Sequence, residues 1–169
     1  MSLTRELQPT LLREAFARFP SGVAALCATV ENAPQGIVAS SFTVGVSLEP
    51  ALVSFAVQNR STTWPIVKRS RRIGVSILGS EHHDACRQIA SKSGDRFAGL
   101  DLTEGEGGAL LLDHSALWLE TSVYAEVPAG DHHVVLLQVH GVATHAGEYD
   151  PLVFQDSTFK GLRAPEYVI

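Results

Sequence analysis

Two stretches near the C-terminal end, Leu117–Val127 and Val134–Ala143, alternate apolar and polar residues with period two. In the first, Leu117, Leu119, Val123, Ala125 and Val127 hold the odd positions, while Glu120, Ser122 and Glu126 fall between them. In the second, Val135, Leu137, Val139 and Ala143 repeat the pattern. Successive side chains of an extended chain point to opposite faces, so each stretch reads as a strand with one face buried. Pro128-Ala129-Gly130-Asp131 supplies turn residues between them, and the pair reads as a hairpin.

The rest of the chain is parsed around that hairpin. Gly22–Val30, Ile37–Phe42, Ala51–Val57 and Ile73–Leu78 are short, β-branched apolar runs. The turn-prone string Asn32–Gly36 separates the first two. Helices are expected over Thr10–Arg18, where Leu11, Leu12, Ala15 and Phe16 recur at helical spacing, after Thr63, and over His82–Ser91 with Ser80 as its cap. Gly94–Gly108 is glycine-rich and charged, and is expected to be a long surface excursion. Hairpin connections between many short strands describe a mainly β fold, an antiparallel barrel with a few short helices, and not a βαβ succession. No GxGxxG string follows a strand, so any nicotinamide would bind outside a dinucleotide-binding fold of that kind.

The length, 169 residues, suits a single domain. A net charge of −5 argues against a nucleic-acid partner, which would need a basic face. No apolar run is long enough to cross a bilayer, and the first residues lack a signal peptide, so no membrane association and a cytoplasmic location are expected. Cys27 and Cys86 form neither a redox pair nor a zinc spacing, the histidines show no metal-binding spacing, and no metal is expected.

Three strings could carry chemistry. Asn59-Arg60-Ser61-Thr62-Thr63 follows a strand and opens a helix, where unpartnered N–H groups and hydroxyls suit an anion. The same string is also an ordinary helix cap. Val38-Ala39-Ser40-Ser41-Phe42-Thr43 offers small, hydroxylated residues that would let a flat ligand lie against the backbone, or that simply mark the chain leaving the core. His132, in Gly130-Asp131-His132-His133, is either a surface residue beside a turn or a donor to a ligand. No nucleophile elbow, triad spacing or carboxylate pair is present. That pattern points to a cofactor doing the chemistry while the protein binds and orients it.

Six motifs then occur in one order: RFPSGVAAL (Arg18–Leu26), ASSFT (Ala39–Thr43), VSLEP (Val46–Pro50), NRSTTWP (Asn59–Pro65), DRFAG (Asp95–Gly99) and GDHH (Gly130–His133). In this order the chain resembles the flavin reductase-like family, and in particular the reductase components of two-component flavin monooxygenases. The resemblance implies an FMN-binding split barrel, acting as a homodimer. It implies reduction of FMN or FAD by NADH or NADPH, with reduced flavin passed to a partner monooxygenase. It further implies that Val38, Ala39, Ser40 and Ser41 meet the isoalloxazine edge and ribityl chain, with Ala56 beside the ring. By the same resemblance Asn59, Ser61, Thr62 and Thr63 meet the phosphate, Arg96 and Phe97 close over the flavin, and His132 contacts the nicotinamide. Val44-Gly45 lengthens the loop after Ser41 relative to the family pattern, and Val153–Phe159 lacks its usual basic, glycine-rich run. Two other readings of the same barrel are a non-catalytic flavin carrier or sensor and an FMN-dependent oxidase.

Overall fold

A computed structural model of the chain describes residues 3–147 and 149–162. A helix, α1 (Pro9–Ala17), precedes five strands: β1 (Ser21–Gly22), β2 (Ala24–Val30), β3 (Ala33–Ala39), β4 (Thr43–Leu48) and β5 (Ala51–Gln58). After β5 come α2 (Trp64–Val67), β6 (Ile73–Ile77) and α3 (His83–Ala90). The chain ends with β7 (Leu102–Glu104), β8 (Ala109–Leu112), the long hairpin β9 (Leu117–Ala129) and β10 (His132–Thr144), and the small hairpin β11 (Val153–Gln155) and β12 (Thr158–Lys160).

Every strand pairing is antiparallel among the described residues, and the main sheet runs β4-β5-β10-β9-β6-β2-β8-β7, with β3 joined to β2. The path does not close on itself, which is the split of the barrel. Strand β2 is the hinge of the packing. Its residues Ala24, Leu26 and Ala28 face one core with Phe55, Trp64, Val75 and Leu137. Ala25 and Cys27, with Val23 just before the strand, face another with Ile89, Phe97, Leu110 and Leu112. Covered on both faces, β2 carries no alternation in its sequence, as its run of apolar residues foretold. Burial pushes the Cys27 thiol up to about 12, so it is an inert core side chain.

Several boundaries differ from the sequence reading for identifiable reasons. The first turn sits at Glu31 and Asn32, both at positive φ, and not at Asn32–Gly36. Pro34 and Gly36 are therefore inside β3. Proline is tolerated there because β3 pairs on one side only. Gly36 is required by packing, since a Cβ there would lie 2.6 Å from Cys27 Sγ and 2.9 Å from Phe97 Cζ. Strands β4 and β8 were not expected. Val44, Val46 and Leu48 of β4 are all exposed, and all four residues of β8 are buried, so neither strand shows a half-buried alternation. The Gly94–Gly108 segment is not merely a surface excursion, because it buries Phe97 and contributes β7 to the sheet.

Ser80 does not cap α3. A 3-10 turn over Ser80–His82 leads into it, and His82 is the organising residue. Its Nδ1 accepts the Gly79 N–H at 3.1 Å, so Nε2 carries the proton and donates to Asp113 O at 2.8 Å. Helix α1 forms as expected, yet it buries no residue: Phe16 stands 69% and the following Phe19 75% exposed. No helix of the described residues is long and apolar enough to cross a membrane.

Candidate functional site

Strand β5 buries Phe55 and Val57 on one face and turns Ala56 and Gln58 to the other. Where it ends, the string from Asn59 to Thr63 crosses to α2. Ser61 Oγ accepts the Trp64 N–H at 3.2 Å, so Ser61 is the capping side chain, while Thr63 makes no side-chain cap. Among the described residues, the backbone N–H groups of Thr62 and Thr63 donate to no protein acceptor. Helix α2 is only four residues long, so its dipole contributes little. Attraction for an anion rests instead on free N–H groups, hydroxyls and neighbouring cations.

Helix α2 is held from beneath. The Trp64 ring meets Phe55 edge-on with centroids 5.0 Å apart, a contact worth about 0.5–1.5 kcal/mol. Trp64 Nε1 donates to Glu126 Oε1 at 2.6 Å, and Lys68 Nζ lies 2.8 Å from Glu126 Oε2. Burial alone would push the Glu126 carboxyl up. The hydrogen bonds from Lys68 and Trp64, with the Lys68 charge, outweigh it and hold the group below the usual carboxylate value. A carboxylate with a depressed folded value contributes stability above its unfolded pKa, and that stability is lost as pH falls through the folded one. Because the pair is largely solvated, Glu126→Gln is expected to cost only about 0.5–1 kcal/mol near neutral pH. The gap between denaturant titrations of wild type and variant should close as pH falls from the unfolded glutamate value through the lower folded one. A gap that persists in acid would assign the cost to packing.

Above this support lies an open cleft of about 1070 Å³. One wall is β3 and its exit, Gly36 to Ser41, and the floor is the end of β5 from Phe55 to Gln58. Arg60, Ser61, Thr62 and Thr63, then Ser91 and Lys92 just after α3, and Arg96 and His132 complete the lining. The volume suits a nucleotide-sized ligand. Ten residues singled out in the sequence converge here: Val38, Ala39, Ser40, Ser41, Ala56, Ser61, Thr62, Thr63, Arg96 and His132.

Their bonding differs from what their types suggest. Ser41 Oγ donates to Ala56 O at 3.1 Å and accepts the Ala56 N–H at 3.0 Å, so its hydroxyl ties the β3–β4 turn to β5. Arg96 Nη1 donates to Gly36 O at 3.0 Å and to Ile89 O at 3.3 Å, joining β3 to α3 behind the cleft. His132 Nδ1 lies 2.7 Å from Asp131 Oδ1. An ionised carboxylate only accepts, so the ring proton sits on Nδ1 and Nε2 is the nitrogen left free. The same bond leads the causes that hold the Asp131 carboxyl below its ordinary value.

Two expected residues stand off the cleft wall. Phe97 is buried in the second core, under Gly36. Asn59 directs its side chain to the β9–β10 turn. Conversely, Lys92, Ser91 and Gln58 line the cleft without having been singled out. Ser91-Lys92-Ser93, two hydroxyls around a cation just after a helix, was the legible signal, since it repeats the chemistry of Arg60–Thr63. Among the described residues, no group of three or more His, Cys, Asp or Glu could hold a metal ion.

The family described as Flavin reductase like domain matches residues 16–163. The chain belongs to the flavin reductase-like family. A relative in this family's range of similarity, the actinorhodin polyketide dimerase of Streptomyces coelicolor, is 36% identical over 154 residues, 90% of this chain and 85% of that protein. The reductase subunit HsaB of a flavin-dependent monooxygenase from Rhodococcus jostii is 29% identical, covering 96% of this chain and 82% of the relative. The NADH:FAD oxidoreductase SgcE6 of Streptomyces globisporus, solved with NAD and FAD fragments, superposes with a TM-score of 0.88 at 28% identity, over 98% of this chain and 99% of that one. The antiparallel split barrel described above is thus the flavin reductase-like fold.

Proposed function

We propose that this chain reduces FMN or FAD with NADH or NADPH in the cleft between β3, β5 and α3, as one flavin reductase-like domain, and hands the reduced flavin to a partner monooxygenase. The observation that carries this reading is the convergence of small residues, hydroxyls, free N–H groups and three cations on one cleft, which His132 also lines with a free imidazole nitrogen.

That donor set fits a flavin nucleotide. Ala39, Ser40 and Ala56 present little side chain, so a flat ring can lie against backbone amides. Ser61, Thr62, Thr63, Arg60 and Lys92 supply donors and charge for a phosphate. Flavin supplies the hydride acceptor of the reaction. The protein's part is orientation: Ser41 and Arg96 lock β3 to β5 and α3, which keeps the two walls of the cleft at a constant spacing. In this reading His132, with Nδ1 bonded to Asp131, holds the nicotinamide through Nε2. With no acid, base or nucleophile required of the chain, the absence of such a constellation in the sequence follows.

A homodimer and a cytoplasmic location go with this reading. Val44, Val46 and Leu48 on the edge strand β4 are exposed, Leu48 at 89%, as is the apolar stripe of α1, and a second copy would cover such surface. Both cysteines are free and buried, in keeping with a reducing compartment.

The test is a steady-state assay crossing two flavins with two nicotinamides. NAD(P)H oxidation should depend on added flavin, and His132→Ala should raise KM for the nicotinamide about tenfold with flavin affinity nearly unchanged. No flavin-dependent oxidation above buffer would overturn the reading, and equal loss of both ligands would remove His132 from its role. A second reading is favoured by the 36% identity to the actinorhodin polyketide dimerase: a flavin-loaded barrel acting directly on a polyketide. It would show oxygen uptake that requires the organic substrate and continues when free reduced flavin is scavenged.

A further inference from the structure

The turn that carries His132 has nothing apolar to hold it. Ala129, Gly130 and Asp131 are exposed, and Gly130 sits at φ +65° with open space around its Cα. Its position is therefore set by hydrogen bonds, and three of them come from one residue. The Asn59 backbone N–H donates to Asp131 O at 3.0 Å, and Asn59 Nδ2 donates to Gly130 O at 3.2 Å. That second bond fixes which end of the amide is which, so Asn59 Oδ1 is the acceptor for His133 Nδ1 at 2.7 Å.

These bonds extend the β5–β10 ladder past its last pair, His132↔Gln58. They join the tip of one hairpin to the first residue of the string Asn59–Thr63. Asn59 is not part of the cleft wall, and its side-chain donor and acceptor are both engaged with the turn.

We propose that Asn59 is a positioning residue that latches the Gly130–His133 turn to the phosphate-facing string, so that it governs use of the nicotinamide and not the grip on the flavin phosphate. The inference rests on the flavin reductase reading of this site. It moves Asn59 from the set of phosphate contacts that the family resemblance implied to a structural coupling between the two ends of the cleft. Acting through His132, the latch makes the two residues energetically dependent on each other. Residues in one hydrogen-bonded network show such non-additivity, whereas independent sites add.

The experiment has three arms on Asn59→Ala, with Asn59→Asp as a second variant that keeps an oxygen for His133. Amide hydrogen exchange over residues 129–133, measured without ligand, should accelerate in Asn59→Ala while β2 and β6 stay protected. The ratio of FMN to riboflavin affinity, read by flavin fluorescence, should stay within about threefold of wild type, because the phosphate contribution is untouched. KM for the nicotinamide should rise about tenfold in Asn59→Ala, less in Asn59→Asp, and should not rise further when the change is added to His132→Ala. A selective loss of FMN over riboflavin would make Asn59 a phosphate ligand and overturn the proposal. So would unchanged exchange at the turn, or a full additional KM increase in the His132→Ala background. A wild-type protein that fails to reduce flavin overturns the reductase reading and the coupling with it. Normal turnover with unchanged exchange overturns the latch alone.

Discussion

Replacing Arg60 and Lys92 together by alanine is expected to weaken FMN about a hundredfold while changing riboflavin affinity less than about threefold. Both side chains line the cleft that also carries the hydroxyls of Ser61, Thr62 and Thr63. A charge-assisted hydrogen bond contributes about 1.5–3 kcal/mol when well formed. Both residues are exposed, so each is discounted to about 1–1.5 kcal/mol, and two such losses multiply to roughly two orders of magnitude. Riboflavin lacks the phosphate and should notice neither change. The discrimination should shrink as salt is raised, since exposed charges are screened within about a Debye length. Equal weakening of both flavins would mean that the cations shape the cleft without meeting phosphate. Arg60 Nε already bonds Gln58 Oε1 at 2.7 Å, which holds the guanidinium near the cleft floor before any ligand arrives.

The second large effect concerns the fold itself. Gly74 is the second residue of β6, where a Cβ would stand 2.7 Å from Leu110 C and 2.8 Å from Leu110 N, and closer still to its carbonyl oxygen. All three obstacles are backbone atoms of β8, so no rotamer change relieves the clash. Accommodating even a methyl group requires β6 and β8 to separate, disturbing two strands whose Ile73, Val75 and Leu110 are buried. Gly74→Ala should therefore cost at least about 3 kcal/mol, a large share of a domain's net stability, and should appear as loss of folded protein or a strongly lowered denaturation midpoint. A variant within about 1 kcal/mol of wild type would show that the two strands are not held at this distance. Gly36→Ala should be destabilising but milder, because the two atoms nearest to its Cβ, Cys27 Sγ and Phe97 Cζ, belong to side chains, and the backbone Leu26 O lies farther off at 3.3 Å.

Much of the site could be read in advance because its residue types announce their chemistry locally. Ser61, Thr62 and Thr63 follow a strand and open a helix, and both the helix and the cleft-facing hydroxyls are found there. Val38 to Ser41 leave β3 as small residues, and they line the cleft. The β9–β10 hairpin was legible from period-two alternation over its first half, where Leu119 and Thr121 are buried. Beyond Ser122 the pattern misleads. A register shift in the pairing with β10 brings Glu126 opposite the buried Val135 and onto the Trp64 side, while Val127 is exposed.

What composition, alternation and turn residues determined by themselves was the antiparallel β architecture, the order of the helices and longer strands, and the hydroxyl strings that line the cleft. These follow from short-range physics, in which each residue's own backbone and side-chain preferences suffice. Tertiary structure alone decided which polar groups are free. Ser41, Arg96 and Asn59 are as polar as Ser61 or Thr62, yet their hydrogen bonds are committed to Ala56, to Gly36 and Ile89, and to Gly130 and His133. Partners 7 to 74 positions away settle that question, and nothing in a residue's immediate neighbours encodes them. The contrast between the patterned start of β9 and the unpatterned β2 and β8 has the same origin. Alternation is visible only where one face meets water, and β2 and β8, covered on both faces, have none to show.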